Sequence, residues 1–242
     1  AHILSIVNVV GSSIAKASDD VIYTWAGPEI AVATTKAYST QLIVLYLFAI
    51  YAADKLGSTD SKLLDTLLDE IRELPKKVES IFAMEDKLKT LAKEHYEMKS
   101  VFFIGRNIDY AVAMEGSLKL KEISYLNSEA YAAGELKHGT ISLIEEGRMV
   151  IALSYYEELL DKMMSNIKEV KARGAHVLAI AKEGNTSIEA KSNEVIYIPE
   201  CRDELTPLLS VVPLQMFAYY VAKERGCNID KPKNLAKSVT VE

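Results

Sequence analysis

The second half of the chain alternates short apolar runs with helix-length stretches, and this alternation constrains the fold more than any other feature. SVFFI (Ser100–Ile104), RMVIAL (Arg148–Leu153), HVLAIA (His176–Ala181) and EVIYI (Glu194–Ile198) are near-continuous runs of strand-forming residues. Helix-length segments lie at 108–126, 156–173 and 205–225. A strand that is apolar on both faces must be covered on both faces, and the intervening helices are the only cover available. The pattern predicts right-handed βαβ units and a parallel sheet.

The first half carries less of this pattern. ILSIVNVV (Ile3–Val10) reads as a buried strand ending at Gly11-Ser12-Ser13, and DDVIY (Asp19–Tyr23) as a second short strand. Gly27-Pro28-Glu29 resembles a helix start, with Pro in the first turn, and that helix is expected to reach Leu56 before Gly57-Ser58 stops it. Ser61–Arg72 and Pro75–Tyr96 read as amphipathic connecting helices. Ala1-His2-Ile3-Leu4 opens in apolar, strand-like sequence without Met and without a signal peptide, so a fragment of a longer protein is expected. The expected organisation is the end of one domain over 1–73, a connector over 74–98, a complete domain over 99–226 and a tail over 227–242.

The net charge is −6 with both signs interspersed, and no basic block or aromatic–basic stripe occurs. This argues against a nucleic-acid partner and requires any anionic ligand to be held by local donors. The longest apolar run, Leu42–Ala53, is shorter than the ~20 residues that cross a bilayer, so no membrane partner is expected. Cys201 and Cys227 form neither a CxxC nor a metal spacing and suit a reducing cytoplasm. His2, His95 and His176 stand in no motif, and neither a metal nor a cofactor is expected.

Glu115–Thr140 (EGSLKLKEISYLNSEAYAAGELKHGT) is the most informative segment for function. Helical spacing puts Glu115 and Glu122 on one face, with Lys119 one turn from each. Carboxylates in a largely apolar helix are costly unless paired, which leaves two readings: a Glu–Lys brace, or a poised base. His138 follows in a turn flanked by Gly134 and Gly139, either as a surface histidine or as a presented functional group. The Gly105-Arg106-Asn107 turn occupies a strand-to-helix junction, where open α/β sheets bind ligands. Thr34 and Thr35 either cap locally or face a polar ligand. Lys237, near the end of the tail, is an ordinary solvated lysine by spacing alone. A desolvated pocket would make it a carbonyl-attacking amine.

VGSSIA, GPEIAVATTKAYSTQ, EGSLKLKEISYLNSEAYAAGELKHG and NLAKSVTVE, in this order, resemble the isomerase region of the glucosamine-6-phosphate synthase family, the isomerising glutamine–fructose-6-phosphate aminotransferases. The resemblance runs along the whole chain. It implies two sugar-isomerase (SIS) domains, each a doubly wound, flavodoxin-like three-layer αβα sandwich, the first incomplete here. It also implies conversion of fructose-6-phosphate and glutamine-derived ammonia into glucosamine-6-phosphate.

By motif, the resemblance makes Lys237 the Schiff-base lysine, Glu122 the base that moves a proton between C1 and C2, and Lys119 a supporting lysine. His138 becomes a ring-opening histidine supplied by the neighbouring subunit of a homodimer, and Val32, Thr34 and Ala236 become sugar contacts. No cofactor or metal is implied. His138-Gly139-Thr140 departs from the family's HGP, and Pro232-Lys233-Asn234 from its PRN. The family's phosphate-cradling SxSGxT segment and its glutaminase domain do not occur in this sequence, so isomerase activity is expected to depend on parts outside it. The alternatives are an SIS isomerase or deglycase for another amino-sugar phosphate, and a non-catalytic sugar-phosphate-binding module.

Overall fold

The computed structural model describes residues 1–237 and divides within one helix into two units, Ala1–Leu74 with the chain from Ala236 on, and Pro75–Leu235. In the first unit, β1 (Leu4–Val7) and β2 (Asp20–Tyr23) pair in parallel, with Leu4 opposite Asp20 and Val7 opposite Tyr23. The connection contains α1 (Ser13–Ala17), capped by the Ser12 hydroxyl, which accepts the Ala15 N–H at 3.2 Å. Then follow α2 (Lys36–Leu56) and α3 (Ser61–Phe82).

Two helix boundaries differ from the expectation. α2 begins at Lys36, nine residues beyond Gly27, because Glu29 does not lie inside the helix but caps it from outside. Its Oε1 accepts the Thr35 N–H at 2.8 Å and the Ala37 N–H at 3.4 Å. α3 passes through Pro75 unbroken. The break comes later, where the Ala83 and Met84 amides turn back to Ser80 O and Ile81 O.

Among the described residues of this unit only Ala33, Leu64 and Leu74 are buried hydrophobics. Leu45, Leu47, Phe48, Tyr51 and Leu56 of α2 are exposed. By length and composition alone α2 and the 203–224 stretch are each apolar enough to cross a membrane, although the latter is mostly buried core.

The second unit contains α4 (Glu85–His95), β3 (Ser100–Gly105), α5 (Ile108–Ser124), β4 (Asn127–Ala132), β5 (Met149–Ser154), α6 (Leu160–Lys171), β6 (His176–Lys182), β7 (Glu194–Ile198) and α7 (Thr206–Glu224). Its five strands form one parallel sheet in the order β4-β3-β5-β6-β7, the flavodoxin-like doubly wound arrangement. Side chains alternate between faces. Phe102, Ile104, Val150, Ala152, Val177 and Ala179 pack in one core with Met163, Met164, Ile167 and Val170 of α6. The opposite face is covered by α4, α5 and α7. Gly116 permits that close approach: a Cβ there would lie 2.7 Å from Leu214 Cδ1 and 3.0 Å from Phe103 Cε1.

The four expected strands of this unit are all present, and β4 is an addition. Asn127–Ala132, to which the sequence pattern assigns no strand, forms an edge strand paired with β3 from Ser100–Asn127 to Gly105–Ala132. Tyr125, in a left-handed conformation at φ 61°, ends α5 without the glycine that would announce the break.

Candidate functional site

In the first unit the site is built on the segment following β2. Asn8, just past β1, fixes the start of that segment. Its Oδ1 accepts from Ala26 N at 2.9 Å and Thr24 Oγ1 at 3.1 Å, and its Nδ2 donates to Gly27 O at 2.8 Å. Lys36 Nζ donates to Pro28 O at 2.5 Å. The segment so held carries Glu29, Val32 and Thr34 beyond the carboxyl ends of two parallel strands, where open α/β sheets present ligand-binding groups.

Lys237 docks here. Its Nζ donates to Glu29 Oε2 at 2.7 Å, Ala31 O at 3.0 Å and Val32 O at 3.4 Å. The Glu29 side chain is 9% exposed and that of Lys237 41%. Burial by itself would raise the Glu29 carboxyl. The Lys237 ammonium and the Thr35 and Ala37 amides outweigh it and hold the group below its ordinary value. Lys237 and Val32 therefore meet, with Glu29 and the Ala31 carbonyl beside them; Ala236 and Thr34 adjoin these residues in sequence. Sequence reading gave Glu29 only a place at a helix start. Its signal was the GPEIAVATT segment, in which an acid stands three residues before Val32 and five before Thr34.

In the second unit, α5 carries the Glu–Lys cluster. Lys119 Nζ lies 2.6 Å from Glu122 Oε2 and 3.5 Å from Glu115 Oε1, so the expected one-turn pairing occurs with both carboxylates. The side chains are 5% (Lys119), 13% (Glu115) and 22% (Glu122) exposed. Burial pushes the Glu115 carboxyl up, against the pull of Lys119 and with a further push from Glu122. One fixed cation thus serves two carboxylates. Glu122, the more open of the pair, is the one able to reach outward.

His138 closes a short 3-10 turn, Leu136–His138, and is exposed. Among the described residues no hydrogen bond or ion pair joins it to Glu122 or Lys119.

The Gly105-Arg106-Asn107 turn has a different character from the one expected. A Cβ at Gly105 would lie 2.5–2.6 Å from the Asp109 and Tyr110 backbone, so the turn is as tight as a strand-to-helix junction allows. Arg106 is not aimed at a ligand: its Nε donates to Asn166 Oδ1 at 2.9 Å. The neighbouring cleft, about 520 Å³, is lined by Asn107, Tyr156, Glu158, Asp203 and Glu204 among others. Asp109, beneath it, is 2% exposed and accepts weakly from the Tyr155 and Tyr156 amides at 3.3 and 3.4 Å. Burial pushes its carboxyl up to about 8, partly opposed by those amides. Lys182, the buried cation nearby, is already held by Asp203 at 2.5 Å, with Glu157 at 3.6 Å and Glu200 at 3.7 Å. A crevice at the usual ligand end of a doubly wound sheet is thus acidic and ill-suited to phosphate.

The sheet order and the placement of polar groups at strand ends define a doubly wound α/β protein of the ligand-binding kind. The SIS domain family model matches residues 1–51 and 95–225, and the chain belongs to the SIS domain family. A glutamine–fructose-6-phosphate aminotransferase (isomerizing) of Caldanaerobacter subterraneus subsp. tengcongensis is 58% identical over 242 residues, 100% of this chain and 40% of that protein. The Methanosarcina mazei protein of the same name is 49% identical over 99% of this chain and 39% of its own length. Among solved structures, the C-terminal domain of glucosamine-fructose-6-phosphate aminotransferase from Francisella tularensis superposes with a TM-score of 0.89 at 33% identity, covering 95% of this chain and 65% of that one. The chain thus spans about 40% of the length of the curated relatives it matches.

Proposed function

We propose that this chain is the ketose–aldose isomerase part of an enzyme that makes glucosamine-6-phosphate from fructose-6-phosphate and glutamine-derived ammonia. The carrying observation is the seat of Lys237, which holds an amine against Glu29 and the carbonyls of Ala31 and Val32. That seat favours an imine-forming lysine over a solvated tail residue, because a side chain so anchored has given up its rotamer freedom before a ligand arrives.

In this reading the Lys237 ammonium gives its proton to solvent, and the free amine, positioned by Glu29, adds to C2 of the open-chain ketose with loss of water. Ammonia displaces the lysine and leaves a C2 imine. Glu122 removes a proton from C1 and returns it to C2, which converts the imine into a 2-amino aldehyde. Lys119, bound between Glu115 and Glu122, holds the Glu122 carboxylate in place. His138 assists ring opening from the partner chain of a homodimer. Its exposure, with no hydrogen bond or ion pair to Glu122 or Lys119 among the described residues, favours a role across an interface. Ammonia comes from a glutaminase domain outside these residues, and the enzyme works in the cytoplasm.

Borohydride trapping with fructose-6-phosphate, followed by peptide mapping, tests the reading. A reduced sugar adduct on Lys237, absent from Lys237→Ala, is expected. An adduct formed equally by Lys237→Ala would overturn it.

A further inference from the structure

At the amino ends of β6 and β7, opposite the crevice, three residues without a motif converge. His176 opens β6 and Glu194 opens β7. Val177 and Val195 point into the α6-side core, so His176 and Glu194 face the other way, towards the side that α4 covers. His95 is the last residue of α4. The two imidazole rings lie 4.5 Å apart, tilted at 54°. The His176 Nε2 is 3.3 Å and the His95 Nε2 3.5 Å from Glu194 Oε1. The three side chains are 20–26% exposed, so the cluster is sheltered and still reachable.

The polar atoms of this cluster are poorly satisfied. His95 Nε2 reaches Glu194 Oε1 only at the long distance of 3.5 Å, and Glu194 Oε2 is buried with no hydrogen-bond partner among the described residues. Buried polar atoms without partners are rare, and one at this spot calls for an explanation. One ligand atom from each of the three residues can be chosen so that all lie within 4.8 Å of one another. Ligands about 2.1 Å from a tetrahedral ion stand about 3.4 Å apart, and the two nitrogen–oxygen separations bracket that spacing. The basic residue of α4 that reaches β7, Lys87, is engaged by Val195 O at 2.6 Å, one residue beyond Glu194.

We infer that His95, His176 and Glu194 form a binding site for a divalent transition ion of the zinc type, with water at the remaining position. Two imidazoles and one carboxylate match the preference of that ion class, and hard, all-oxygen ions are disfavoured. The site ties the end of α4 to the starts of β6 and of the edge strand β7. It lies at the end of the sheet away from the ligand crevice, so its role is to brace the fold, independent of any sugar chemistry.

The test is equilibrium dialysis of the whole chain against Zn²⁺ with metal analysis, alongside thermal unfolding and the visible spectrum of the Co²⁺ form. One ion per chain is expected, with a tetrahedral Co²⁺ band and a rise in Tm of about 5–10 °C at a hundredfold excess over Kd. His176→Ala is expected to weaken binding at least a hundredfold and to abolish both signals. Glu194→Gln, which keeps the shape of the site, is expected to weaken binding about tenfold or more and checks the result should the alanine variant fold poorly. No bound Zn²⁺ in the unaltered chain, or undiminished binding in Glu194→Gln, would overturn the assignment.

Discussion

Glu29 Oε2 and Lys237 Nζ meet at 2.7 Å although 208 residues separate them in sequence. The same carboxylate caps α2 through its other oxygen. The start of a helix and the end of the chain are thereby fastened to one side chain.

Glu29→Gln separates these duties. The amide oxygen still accepts from Thr35 and Ala37, whereas the charge on Lys237 loses its partner. A loss of on the order of 1 kcal/mol is expected, together with a much larger fall in borohydride-trapped adduct. Because the Glu29 carboxyl is held below its ordinary 4.5, its stabilising contribution is present above that pH and is lost as pH falls through the lower folded-state value. Unfolding curves from pH 6 down to 3 are expected to converge for the two proteins.

Lys119→Met leaves Glu115 and Glu122 without their shared cation in a sheltered site. A destabilisation of about 2–3 kcal/mol in urea unfolding is expected, below the full cost of an orphaned buried charge because Glu122 keeps some solvent. Adding Glu115→Gln and Glu122→Gln is expected to recover most of it. A single variant as stable as the parent would show that the cluster contributes nothing to the fold.

Asp109→Asn is expected to stabilise the protein in a pH-dependent way. The raised carboxyl favours the protonated form in the fold, so the penalty of ionisation is absent below the ordinary 3.8, grows as pH rises and is complete above about 8. The Asn oxygen can still accept the Tyr155 and Tyr156 amides. Its Tm advantage is expected to be near zero at pH 4 and a few degrees or more at pH 9, measured by calorimetry.

The shared-site reading predicts complementation. Inactive Lys237→Ala and His138→Asn chains, mixed under conditions that exchange subunits, are expected to recover up to about a quarter of the parental isomerase activity. Verified mixed dimers with no activity would place His138 outside a shared site.

The second unit was legible because apolar strand runs and helix-length spacers carry the period of a parallel sheet directly. β4 was not, since Asn127, Glu129 and their neighbours make a polar edge strand that reads as a loop, and Tyr125 ends α5 in a conformation usually left to glycine. The Lys119 pairing followed from helical spacing. The seat of Lys237 and the convergence of His95 with His176 and Glu194 did not, because each joins residues whose nearness is created by tertiary folding alone. The delayed start of α2 is intermediate: Pro28 and Glu29 looked like a first turn, and only the direction of the Glu29 side chain shows that the acid caps the helix from outside.

The carboxylates around Asn107 and Tyr156 bear on which ligands such a chain takes up. Glu158, Asp203 and Glu204 line a crevice that repels a phosphate monoester, and Lys182 is already neutralised. A phosphosugar titration followed by NMR should therefore leave the Asn107 and Tyr156 amide signals unmoved: the carboxyl end of this five-stranded sheet keeps the anion out.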